Sequence, residues 1–309
     1  MEIVFHLPVK NAEPWIHAMA AALPEARVWP WTSAQTTRQA DYAVVWAPPP
    51  ELFTAQRRLK AVFNIGAGVD GVMAVPNLPK GVPVVRLNDA GMASQMAEYV
   101  CHALIRHTRG FDVYDAQQHA RQWKKCPPVD RGMFPVGVMG LGSIGAKVAE
   151  AVSSFGYPTF GWALSPKSLR GVSVFSGHDR LDEFLHAVRV LVCVLPLTPM
   201  TEGILNAANL SKLKPQGYLI NVARGGHLVE EDLLALLDDG TLAGATLDVM
   251  REEPLPAGHP FWGHPKITMT PHISAITLRE QSATQIAEKI RALERGEAVN
   301  GVVDFERGY

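Results

Sequence analysis

The chain has 309 residues, 47% apolar and 19% charged, with a formal net charge of −1. That length has room for two domains of ordinary size. The balanced charge lacks the basic excess of nucleic-acid-binding and membrane-surface proteins, so neither nucleic acid nor membrane is expected as a partner.

Residues Met1–His6 lack the basic start and long apolar core of a signal peptide. No apolar run approaches the ~20 residues that span a bilayer, so a cytoplasmic protein is expected. Three scattered cysteines, Cys101, Cys126 and Cys193, have no metal-ligand spacing. They read as reduced thiols, and no metal site is expected.

Short apolar strands alternate with helical patterns, which predicts α/β architecture with doubly wound parallel sheets. Strands are expected at Ile3–His6, Tyr42–Trp46, Ala61–Ile65 and Val84–Leu87, with helices at Pro14–Leu23 and Leu52–Lys60. A long helix follows at Met92–Arg109, then Phe111–Trp123, then an irregular segment through Phe134. Six further strands are expected: Val136–Met139, Thr159–Trp162, Val190–Leu195, Tyr218–Val222, Gly244–Asp248 and Ile267–Thr270. Thr277-Leu278-Arg279-Glu280 has the form of a capping box, opening a last helix that runs to about Arg295.

The run Val136–Gly145 reads as buried strand, glycine turn and helix start. Gly140 permits the tight turn, Gly142 lets a pyrophosphate approach the backbone, and Gly145 lets the helix lie close to the sheet. With Leu141, Ser143 and Ile144 they form a candidate dinucleotide-phosphate site at a helix N-terminus.

Three other residues fall at or beyond strand ends, where such sheets place ligands. Arg224 sits in a glycine turn, suited to gripping a carboxylate through two parallel N–H bonds. His272, after Thr270-Pro271, has the proton affinity for acid–base work. Glu253, in Arg251-Glu252-Glu253-Pro254, is a carboxylate able to hold an imidazolium. Each taken singly also reads as an ordinary loop residue.

Their order is more specific: the glycine motif, then Val-Ala-Arg-Gly, then Leu-Asp-Val-x-x-x-Glu-Pro-Leu, then Pro-His. With Asn64-Ile65-Gly66-Ala67-Gly68-Val69-Asp70, this order resembles the D-isomer-specific 2-hydroxyacid dehydrogenases, over nearly the whole chain. Within that family it is similar to the A-type glyoxylate/hydroxypyruvate reductases, through Ala43–Pro49, Gly91-Met92, Gln95-Met96 and the ending Arg307-Gly308-Tyr309. Met250, where an aromatic residue is common, and Glu230, where aspartate is common, depart from the pattern.

The resemblance implies a flavodoxin-like substrate domain (1–98 and 273–309) and a Rossmann dinucleotide-binding domain (99–272). It implies reduction of a small 2-oxo acid in a cleft between them. Arg224 would bind the carboxylate and polarise the keto oxygen, His272 would protonate that oxygen, and Glu253, rather than its neighbour Glu252, would hold His272 protonated and oriented. Ala67 and Gly68 would bind the other end of the carboxylate through backbone N–H groups. Trp46 and Met92 are candidates to line the substrate pocket, against an equal reading as core packing. Pro196 and Asp248 would lie at the cofactor, and a homodimer is implied.

No Asp or Glu stands about 20 residues after the glycines, where NAD-specific proteins place one. Ser165, Lys167 and Ser168 are suited to a 2′-phosphate, so NADP is expected, NADPH over NADH. The arginine that related NADPH enzymes often carry at Leu164 is missing, which keeps NAD as an alternative. Two other readings stand beside the reductase: a dehydrogenase of another 2-hydroxy acid, and a dinucleotide-sensing corepressor-like binding protein.

Overall fold

The computed structural model describes residues 1–8, 12–34 and 37–309. It divides into two compact units, Met1–Gly91 with Thr277–Tyr309, and Met92–Ile276.

The first unit holds β1 (Glu2–His6), β2 (Arg27–Pro30), β3 (Tyr42–Val45), β4 (Ala61–Asn64) and β5 (Val84–Arg86), in the order β2-β1-β3-β4-β5. Every pairing is parallel, and the order is that of the flavodoxin-like doubly wound fold. β3 and β4 are buried throughout, which explains their unbroken apolar runs: helices cover both faces of such a sheet. The second unit holds β6 (Val136–Met139), β7 (Thr159–Ala163), β8 (Val172–Ser176), β9 (Val190–Cys193), β10 (Gly217–Asn221), β11 (Leu242–Leu247) and β12 (Ile267–Met269). Their order is β12-β11-β10-β9-β6-β7-β8, again all parallel. The winding reverses between β6 and β9, where doubly wound sheets bind ligands.

Side-chain alternation along the strands sorts the second unit's core into two layers. Val190 and Val192 of β9 face the layer with Val100, Leu104, Val148 and Ile220. Leu191 and Cys193 face the opposite layer, with Phe184, Leu219, Leu237 and Phe261. Cys101, Cys126 and Cys193 are free thiols, and burial pushes Cys101 up to about 11 and Cys193 up to about 12. No helix among the described residues is long and apolar enough to cross a membrane.

The structure corrects several local expectations. The second sheet has seven strands rather than six, because β8 (Val-Ser-Val-Phe-Ser) is a half-exposed edge paired only with β7. β2 was unreadable for the same reason, a short edge strand with an exposed arginine and a proline. The helix expected over Leu52–Lys60 spans Pro50–Ala55. It stops where buried Gln56 turns its amide inward, accepting from Ala40 N (2.8 Å) and donating to Arg38 O (2.8 Å). The helix after Gly110 ends at His119, not Trp123, and Arg121 takes a left-handed φ of 55°. The last helix is Arg279–Glu294, capped by Leu278 without a side-chain bond. The Glu280 carboxylate accepts from Arg279 Nε at 2.9 Å.

Helix Met92–Thr108 carries a half-buried histidine. His107 stacks on Tyr218 at 3.8 Å and meets Phe134 edge-on, and its Nε2 has no hydrogen-bond partner among the described residues. Desolvation by burial lowers its pKa to about 4. An unfolded histidine takes up its proton near 6.5, so His107 contributes stability above that pH that is lost as pH falls from 6.5 towards 4. The loss approaches about 3 kcal/mol at the acid end. Thermal melts from pH 7.5 to 5 should show this drop, and His107→Phe should flatten it; an unchanged slope in the variant would contradict the assignment.

Candidate active site

The glycine turn after β6 joins helix Ser143–Ser154, whose N-cap, Gly142, is extended and makes no side-chain cap bond. Its first N–H groups and the positive end of its dipole are therefore suited to an anion. Gly140 has φ +97°, and a Cβ there would lie 2.7 Å from the Val194 carbonyl oxygen. A Cβ on Gly145 would come within 1.8 Å of the Gly140 carbonyl oxygen, whereas around Gly142 nothing lies within 4 Å. Turn, close packing and open backbone thus fall on the three glycines in the order expected of a pyrophosphate cradle.

At the end of β7 the chain turns outward, and Leu164, Ser165, Lys167 and Ser168 are exposed. Pro196 follows β9. Its carbonyl oxygen accepts the Thr201 hydroxyl at 2.7 Å and lies 3.2 Å from Nε2 of buried His227. The other ring nitrogen of His227 is 3.0 Å from the Arg224 carbonyl oxygen. This histidine, absent from the expected site, ties the Pro196 loop to the arginine turn.

Arg224 follows β10 in extended conformation, just before a 3-10 turn at Gly225–His227. Gly225 is required by packing: a Cβ there would stand 1.9 Å from the Met250 carbonyl carbon. The Met250 N–H in turn donates to Glu253 Oε1 at 2.9 Å, and Glu253 Oε2 meets His272 Nδ1 at 2.8 Å. One continuous chain of contacts thus joins the arginine turn to the histidine. A carboxylate only accepts, so His272 Nδ1 carries the hydrogen that it donates to Glu253, and Nε2 is left for other chemistry. The pair is open to solvent, at 38% and 39% exposure. Glu253, not Glu252, is the partner. Glu230 accepts from Arg251 N at 3.3 Å and lies 3.3 Å from His259, so it braces the same loop.

His272 has φ +55°, rare for a residue with a side chain. Its N–H donates to the carbonyl oxygens of Asp248 (2.8 Å) and Thr270 (3.1 Å). The buried Asp248 carboxylate accepts Thr270 Oγ1 (2.6 Å), Ile273 N (2.8 Å) and Ser274 N (2.8 Å). Asp248 is thus engaged with the His272 turn.

In the first unit, Asn64 Nδ2 donates to the carbonyl oxygens of Gly66 (2.9 Å) and Gly68 (2.8 Å). In a planar trans peptide the N–H points opposite to the C=O, so Ala67 N–H faces away from Asn64. Trp46 packs tightly against Gly66, where a Cβ would meet its ring at 2.0 Å. Met92 is buried, 5% exposed, at the start of its helix. Among the described residues no group of three or more His, Cys, Asp or Glu is placed to hold a metal ion.

Residues 101–274 match the family model for the D-isomer specific 2-hydroxyacid dehydrogenase, NAD binding domain. The chain is 46% identical to a glyoxylate/hydroxypyruvate reductase A of Photorhabdus laumondii, with 100% of both chains covered. One from Serratia proteamaculans is also 46% identical at the same coverage. Among solved structures, a D-isomer specific 2-hydroxyacid dehydrogenase from Xanthobacter autotrophicus, in complex with NADPH and MES, is 39% identical with a TM-score of 0.94, covering 100% of this chain and 99% of that one. An NADPH-dependent glyoxylate/hydroxypyruvate reductase from Sinorhizobium meliloti, in complex with NADP and sulfate, is 35% identical with the same TM-score and coverage.

Proposed function

The chain belongs to the D-isomer-specific 2-hydroxyacid dehydrogenase family, and on that premise we propose that it reduces a small 2-oxo acid, glyoxylate or hydroxypyruvate, with NADPH. The observation that carries this reading is the Glu253–His272 pair, tied through Met250 to the Arg224 turn. The names of the similar reductases support the substrate class.

The open backbone at Gly142 and the uncapped helix start suit a dinucleotide's phosphates. The exposed Ser165, Lys167 and Ser168, in a stretch with no Asp or Glu from Ala151 to His178, suit a 2′-phosphate. When bound, NADPH supplies the hydride. Arg224 holds the substrate carboxylate and polarises the keto oxygen, and in the first unit the backbone N–H groups of Ala67 and Gly68 are suited to a carboxylate oxygen. As C2 gains the hydride, the C=O π electrons move to oxygen, and His272 gives that oxygen its Nε2 proton. Glu253 keeps the imidazole aimed by accepting the hydrogen bond from His272 Nδ1–H. Arg224 and the imidazolium together stabilise the charge that grows on oxygen. Trp46, packed tightly against Gly66, restricts the space beside that loop and favours small acids. Met92 is buried at the start of its helix.

The test is the initial rate of reduced-cofactor oxidation with glyoxylate, hydroxypyruvate, pyruvate and 2-oxobutyrate. The expected result is turnover with the first two and a preference for NADPH in kcat/KM of about tenfold or more, the worth of one charge-assisted contact. A preference for NADH would overturn the cofactor assignment, and no turnover would overturn the activity.

The protein acts as a homodimer in the cytoplasm. Supporting the dimer, helix Phe111–His119 buries none of its residues, and Phe111, Val113, Tyr114, Trp123 and Met133 are all exposed. Apolar exposure of this extent marks an interaction surface. Light scattering should give twice the chain mass, and Trp123→Glu should lower it; a monomer at micromolar concentration would contradict the assignment.

A further inference from the structure

The turn that carries His272 is tied to a residue far away in sequence. Tyr99, on helix Met92–Thr108, places its hydroxyl 2.5 Å from Thr270 Oγ1, and Thr270 Oγ1 lies 2.6 Å from Asp248 Oδ1. The direction of this chain is fixed. A carboxylate only accepts, so Thr270 gives its one proton to Asp248, and Tyr99 must then donate to Thr270. Burial pushes the Tyr99 phenol up to about 12, which keeps it a donor at physiological pH.

Asp248 is the hub of the turn. Its carboxylate takes the N–H groups of Ile273 and Ser274, and its carbonyl takes that of His272. A left-handed backbone at a residue with a side chain persists only where its surroundings over-determine it. Here the surroundings are Asp248, Thr270 and, behind them, the Tyr99 hydroxyl. Glu253 sets the ring from one side, and this relay sets the backbone from which the ring projects.

We propose that Tyr99 is a positioning residue for the proton donor His272, acting through Thr270 and Asp248. The proposal rests on the reading of His272 as that donor. Losing the phenolic hydroxyl leaves Thr270 short of a donor and lets the turn relax by a fraction of an ångström. Proton transfer, which needs hydrogen-bond reach, then slows more than substrate binding weakens.

The experiment compares Tyr99→Phe, Thr270→Val, Thr270→Ser and the Tyr99→Phe/Thr270→Val double variant with the unaltered enzyme and His272→Asn, using NADPH and hydroxypyruvate. Tyr99→Phe keeps the ring and its packing, so its melting temperature should stay close to that of the unaltered enzyme. Its kcat should fall about tenfold, with KM and the NADPH Kd within about twofold and a larger solvent deuterium isotope effect on kcat. Thr270→Ser preserves the relay and should retain kcat. Thr270→Val should match Tyr99→Phe or fall below it, and the double variant should be no slower than Thr270→Val alone, because both act through one chain. An unchanged kcat and isotope effect in Tyr99→Phe, with His272→Asn inactive, would overturn the relay alone. Full turnover by His272→Asn would overturn the donor reading and the relay with it.

Discussion

Replacing His272 by asparagine is expected to lower kcat with hydroxypyruvate by about 10³-fold, within the range that a positioned general acid supplies. Asparagine has similar reach, and its amide can still meet Glu253, so the turn held by Asp248 should survive. It cannot release a proton to the keto oxygen, so hydride arrival at C2 would leave an alkoxide with only Arg224 beside it. Cofactor binding should be nearly unchanged, because the glycine turn and the helix start at Ser143 make no hydrogen bond to this histidine. Steady-state kinetics and fluorescence titration with NADPH separate the two quantities. A kcat within about fivefold of the unaltered enzyme would remove His272 from the chemistry.

Arg224→Gln is expected to fail differently. The arginine would act in both ground and transition states, holding a carboxylate throughout and the developing oxyanion only during reaction. Glutamine loses the charge and the paired N–H geometry, so KM should rise by about 10- to 100-fold and kcat should fall by about 10²-fold. The contrast with His272→Asn, where KM moves little, is the diagnostic feature. Arg224→Lys should recover only part of the loss, since an ammonium restores charge without the planar fork. A variant that changed kcat but left KM untouched would place Arg224 away from the substrate carboxylate.

Much of this was legible in the chain because its signals are local. Buried parallel strands such as Val190–Cys193 are continuous apolar runs, and the spacing of the three motif glycines is itself a local signal: a Cβ on Gly140 or Gly145 would strike a backbone carbonyl, while Gly142 faces open space. The edge strands β2 and β8 were not legible, since half-exposed strands of four and five residues lack such runs. Helix ends at Ala55 and His119 were missed because long-range or backbone features set them, such as the Gln56 amide and the left-handed Arg121.

At the site, residue types suggested Arg224, Glu253 and His272, and the fold brings the last two into contact. What the sequence hid is the support behind them. Asn64 sets the Ala67 loop by bonding two carbonyls, an arrangement that an isolated asparagine does not announce. Tyr99 and Thr270 meet across 171 residues, and a hydroxyl carries no periodicity from which to infer such a pairing. His227 reads as one more histidine in a loop until both ring nitrogens are seen beside carbonyl oxygens.

The central claim is that hydride passes from the nicotinamide to C2 of a 2-oxo acid while this chain supplies the proton. Single-turnover reduction of hydroxypyruvate with NADPH deuterated at C4, one epimer at a time, tests it most directly. The account predicts D-glycerate carrying one deuterium at C2 from one epimer and none from the other. Glycerate without deuterium from either epimer, or of the L configuration, would contradict it.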